Sequence, residues 1–121
     1  MSLLVVDTGS YTGDGVSGLA VLLTNHTGLG ASPQLVIVGR DADAANTLVN
    51  AWRCSTMGAT QSILGFQSLS TIGIIGFASG QFTVGTAAAA NTNGGTHYYL
   101  AVSEVEASGA PTGAPTTLEI G

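Results

Sequence analysis

The feature that most constrains this chain is its punctuation. Glycine or proline returns every eight to twelve residues, and the runs between are short and rich in valine, isoleucine, leucine and threonine. Runs of that length hold a strand of roughly four to eight residues but not a helix of about ten or more. Branched side chains also lose less rotamer freedom on a pleated surface than in a helix. Nine runs carry the signal, at 3–6, 18–24, 34–39, 47–54, 61–69, 72–78, 81–84, 96–103 and 117–120. Their rhythm predicts an all-β fold, an antiparallel β-sandwich, jelly-roll-like, of about eight or nine short strands. The stretches 35–38 and 72–77 are continuously apolar and predict central strands covered on both faces. Gly13-Asp14-Gly15, Ser79-Gly80 and Asn93-Gly94-Gly95 predict tight turns, where glycine supplies the positive φ.

Two segments depart from this rhythm. Over 41–52, Asp41 or Asp43 suits a helix cap, and Ala44, Leu48, Val49 and Trp52 fall near helical spacing. Thr47, Val49 and Asn50 favour a strand instead, so the reading adopted is a turn through 41–46 leading into a strand that carries Trp52. A chain of 121 residues has room for one core, and 1–106 supply it. Residues 107–121 hold Pro111 and Pro115 among glycine, alanine, serine and threonine, a composition that stays extended and leaves the sandwich as an arm. Leu118 and Ile120 at its end predict a short strand added to the sheet edge of a neighbouring molecule.

Charge narrows the function classes. Arg40 and Arg53 are the only strong cations, lysine is missing, and charged residues make up 7% of the chain, against an average of about 25%. A surface of glycine, threonine, serine, alanine and asparagine suits a protein covered by neighbours, because a desolvated charge must be paired or it costs several kcal/mol. The expectation is therefore a homo-oligomer, trimer or dimer, or a lattice. A net charge of −5 without lysine argues against nucleic-acid binding. No apolar run is long enough to cross a bilayer as a helix, and no basic segment with an apolar stretch opens the sequence, so neither a membrane partner nor a targeting segment is expected.

The candidates for chemistry are few. Cys54 is alone, which rules out an intrachain disulfide and a thiolate cage, and it reads as a small buried side chain. His26 and His97 lie in separate segments with no carboxylate at a matching spacing, so no metal or other cofactor is expected. Tyr11, Trp52 and Tyr98 would make a stacking platform if they shared one exposed patch. Residues 3–10, an apolar strand running into Asp7-Thr8-Gly9-Ser10, resemble the active-site loop of aspartic proteases. Retroviral-type members of that family are homodimers, so the resemblance implies Asp7 paired with its symmetry mate. Ile63-Leu64-Gly65 and Ile74-Ile75-Gly76 are similar to that family's later apolar-apolar-glycine element. Three departures weigh against it: six residues precede Asp7, no glycine-rich flap occupies 41–57, and no late helix follows Gln81.

A broader resemblance covers about residues 7–103. Gly9-Ser10-Tyr11-Thr12-Gly13-Asp14-Gly15, Pro33-Gln34-Leu35-Val36-Ile37-Val38, Gln81-Phe82-Thr83-Val84-Gly85 and the stretch 91–102 follow one another in this order. The series resembles β-sandwich units in virion proteins of tailed phages, both head decoration and tail-associated. That resemblance implies a virion structural protein on the capsid exterior, a decoration or cement protein with the major capsid protein and its own copies as partners, and no catalytic residues. The residues expected to carry the oligomer and capsid interface are Leu3 and Leu4 at one end and Leu118 and Ile120 at the other. The alternatives are a tail- or fibre-associated binding module, carbohydrate-directed, and the dimeric protease using Asp7.

Overall fold

A computed structural model describes residues 2–24, 32–40, 50–65, 68–106 and 117–120. Ten strands and one short helix follow in the order β1 (Ser2–Thr12), β2 (Leu19–Leu22), β3 (Pro33–Gly39), β4 (Asn50–Cys54), β5 (Ser62–Leu64), β6 (Ser68–Ser70), β7 (Ile74–Ala78), β8 (Gln81–Val84), α1 (Ala88–Asn91), β9 (Thr96–Glu106) and β10 (Thr117–Ile120). They form two sheets, one of seven strands in the order β10-β1-β9-β3-β4-β5-β6 and one of three in the order β2-β8-β7. Every pairing is antiparallel except that of β1 with β10, which is parallel. The chain is thus an all-β sandwich with unequal layers.

Period-two alternation puts one set of side chains between the layers. Val36, Val38, Ala51 and Ala101 from the large sheet meet Val21, Ile74, Phe82 and Val84 from the small one, with Leu23 beyond the end of β2. Phe82 sits at the centre, edge-on to Tyr11 at 5.9 Å and to Tyr99 at 5.4 Å between ring centroids. Ala89 and Ala90 of α1, and Ala87 just before it, close one side against this core. Three of the four residues of α1 are alanine and present almost no side-chain bulk, so the helix lies close to β3 and β4.

Several elements differ from the sequence reading. β1 runs through Asp7 to Thr12 instead of ending at Val6, because all eleven of its residues pair with β9. Gly9 allows this: a β-carbon there would lie 2.7 Å from the Tyr99 hydroxyl, so the missing side chain makes room for the ring. The run 61–69 divides into β5 and β6, and Gly65, at φ 60°, ends the first of them. β7 lies at an edge of the small sheet, not in a centre, so Ile75 and Phe77 are only half-buried. The strand carrying Trp52 forms as expected, while 41–49 lie outside the described residues. Tight turns form with Gly15, Gly80 and Gly94 at φ 72°, 67° and 76°. Of the arm, 107–116 lie outside the described residues, and the strand expected at 117–120 forms. Its partner here is the chain's own β1, with Leu4 opposite Leu118 and Val6 opposite Ile120, rather than a neighbour's edge.

Candidate functional site

The side chains that alternate away from the core build the most unusual surface of this molecule. Across six neighbouring strands, Thr8, Leu100, Ile37, Trp52, Ile63 and Leu69 stand in register, one per strand. Val6, Val102, Leu35 and Cys54 form the next row, and Ser10, Tyr98, Gly39 and Asn50 the row on the other side. None of these fourteen residues is charged. Leu69 and Tyr98 are more than half exposed, at 57% and 58%, and Leu100 is 37% exposed. Ile37, Trp52, Ile63, Leu35 and Val102 are half-buried. A strand in the middle of a soluble antiparallel sheet commonly offers polar side chains to water on its free face. Here β3, β4 and β9 offer leucine, isoleucine, valine, tryptophan and tyrosine.

Among the described residues, ions stand only at the two ends of this face. Glu104, at the end of β9, is exposed, and its carboxylate accepts a bond from the Gln34 amide at 3.4 Å. At the opposite end Arg40 follows β3. Because Gly39 has no side chain, Ile37, Gly39, Arg40, Tyr98, Tyr99 and Leu100 line an open hollow of about 450 Å³ there.

The four residues expected at an interface are brought to one edge. Leu3 pairs with Thr117 and Leu4 with Leu118, and Ile120 stands opposite Val6, so both chain ends meet on the β1–β10 margin. The aromatic platform is not assembled as a trio. Trp52 and Tyr98 share the outer face, whereas Tyr11 turns inward, stacks on His97 at 5.2 Å and donates its hydroxyl to the Ala90 carbonyl at 2.5 Å. Burial pushes the Tyr11 phenol far above its ordinary value. Cys54 is half-buried on the outer face, not in the core, with its sulfur 3.3 Å from the Thr56 hydroxyl; that hydrogen bond is the main cause of a lowered thiol pKa.

Asp7 is fully buried in the middle of a strand. Asp7, Thr8, Gly9 and Ser10 pair in turn with Ala101, Leu100, Tyr99 and Tyr98, so the four residues make no loop. The side chain points into its own sandwich, where its negative charge adds to burial in raising the Tyr99 phenol. Two copies have no route by which such carboxylates could share a proton without opening the sheet. Among the described residues no three of histidine, cysteine, aspartate and glutamate group to hold a metal, and His26 lies outside them.

Two buried polar groups that sequence reasoning missed hold this scaffold in place. The Asn91 amide, 1% exposed, accepts from the backbone N–H of Asp14 at 2.8 Å and Gly15 at 3.3 Å, and it donates to Val16 O at 2.9 Å and Gly85 O at 2.8 Å. Arg53, 8% exposed, donates to the carbonyls of Gly58 and Gln61 at 3.0 and 2.5 Å and lies 5.2 Å over the Phe77 ring. An asparagine beside an alanine run and an arginine between two apolar neighbours were the available signals, and neither names its partners. No protein-family model matches the chain, and no curated protein or solved structure matches it.

Proposed function

We propose that this chain is a structural protein that works by association, a decoration or cement protein on the outside of a virion shell. One observation carries the reading: the outer face of the seven-stranded sheet is broad and largely apolar, and its three central rows hold no ions. Large exposed apolar surfaces on soluble proteins mark sites of contact. The scarcity of charge elsewhere in the sequence supports the same reading, as does the meeting of Leu3, Leu4, Leu118 and Ile120 at one margin, next to the capsid in this proposal. The phage setting rests on the order of sequence motifs. Gradient-purified particles of the source phage, analysed by quantitative mass spectrometry, test it. Many copies per shell are expected, and a chain absent from particles removes the proposal.

Trp52 and Tyr98 on one face favour a second reading, a tail- or fibre-associated module that stacks on sugars. A glycan array then shows binding that Tyr98→Ala abolishes, and an empty array discards it.

A further inference from the structure

We infer that the outer face of the seven-stranded sheet is the contact between two copies of this chain, packed face to face about a two-fold axis lying in the interface at right angles to the strands. The inference rests on the assembly reading above and says which partner covers the face.

A second copy fits for three reasons. The first is charge. A face that meets itself has no separate partner to supply opposite charges, so ions at its centre would lie near their own copies or be stripped of water unpaired. The three central rows hold none. The second is the placing of the terminal ions. β3 and β9 are antiparallel, with Pro33 opposite Ser103 and Gly39 opposite Tyr98, so Glu104 and Arg40 stand at opposite ends of the face. An axis along the strands would bring both Glu104 carboxylates to the same end of the interface. An axis across them lays Glu104 of each copy over the hollow that Arg40 and Tyr98 line in the other, and it sets the Leu100 row against the Val102 row, apolar on apolar. The third is area. The six strands, about 4.8 Å apart, range from three residues (β5 and β6) to eleven (β1 and β9), and their mean of between six and seven gives a footprint of roughly 500 Å² per copy. Two such faces bury about 1,000 Å², where specific interfaces begin, at the spacing of about 10 Å seen between packed sheets.

The test is sedimentation of the full chain from about 1 to about 100 µM, a range that brackets micromolar association. Wild type is expected to pass from monomer to dimer. Trp52 is the chain's one tryptophan and lies in the contact, so acrylamide quenching of its fluorescence falls over the same range. Leu100→Lys raises the dissociation constant at least about tenfold and leaves the circular dichroism spectrum unchanged. Leu22→Lys, at a 66% exposed position of the small sheet, has no effect on association. Glu104→Gln weakens the dimer; if it strengthens it instead, the axis lies along the strands and the inference is wrong. A monomer at every concentration, or a dimer that Leu22→Lys disrupts and Leu100→Lys spares, also overturns it. A dimer that purified particles lack upholds the inference and removes the decoration role, whereas a strict monomer bound to particles does the reverse.

Discussion

Asn91 ties three segments together with one buried amide. Its NH2 also lies 3.1 Å from the Asp14 carboxylate, which in turn accepts from Val16 N–H at 2.8 Å. Asn91→Ala removes both halves of this network and leaves buried backbone groups unpaired, at a cost of about 3 kcal/mol in urea unfolding. Asn91→Asp is expected to be no better, because a carboxylate there faces the Asp14 carboxylate and two carbonyls. His97 gives a pH prediction. It is fully buried, and its Nε2 accepts from the Thr92 N–H at 3.0 Å. Burial, with the positive charge of Arg40 second, lowers its pKa from 6.5. The unfolded chain therefore binds a proton more readily than the folded one. The histidine's contribution is fully present above pH 6.5 and is lost as the pH falls from there through the depressed folded value, with a slope of at most about 1.4 kcal/mol per unit. Chemical denaturation of wild type and His97→Gln from pH 7.5 to 5 checks this, the variant showing the shallower decline. In the sequence Asn91 is an asparagine beside an alanine run and His97 a lone histidine. Their roles come from residues 77 positions away for Asn91 and, in Tyr11, 86 for His97, which local pattern cannot reveal.

At the scale of elements, the glycines separate turns from close crossings. Gly94 sits at φ 76° with open space around it, so Gly94→Ala meets only the left-handed penalty of about 1–2 kcal/mol. At Gly85 a β-carbon would lie 2.4 Å from the Ile72 carbonyl oxygen, which accepts from Ala87 N–H, while Gly85 N–H bonds to Gly73 O at 2.7 Å. Gly85→Ala must push apart the backbone that joins β7, β8 and α1, and it should unfold more easily than Gly94→Ala by about 2 kcal/mol or more. β10 gives the opposite expectation. It lies at a sheet edge, so truncation after Ser108 should leave the core folded with a lower melting temperature, and the bared edge of β1 should raise aggregation, measured by light scattering. Strand runs and glycine turns were legible because alternation and positive φ are local properties. The full length of β1, the break between β5 and β6 and the short α1 were not. The first depends on the length of β9, the second on one glycine and its partners, and the third on alanines that pack only because β3 and β4 lie beneath them.

The whole molecule is an unequal sandwich whose large layer keeps an apolar face outside. Association through that face should respond weakly to sodium chloride, since the ions among its described residues stand at the ends, and should show a negative heat-capacity change in calorimetric dilution. A steep loss of association between low and high salt would place the contact elsewhere. Composition and rhythm by themselves determined that the chain is built of strands, that two layers share one core, and that its surface is short of ions. These follow from periodicity and residue chemistry, which act over a few neighbours. Which strands became edges, where Asp7 and Tyr11 point, and which apolar residues face outward were decided only in the tertiary structure. Strand order and register are long-range pairings, and a one-residue change of register exchanges the two faces of a strand, so the same apolar run can fill a core or make a contact surface.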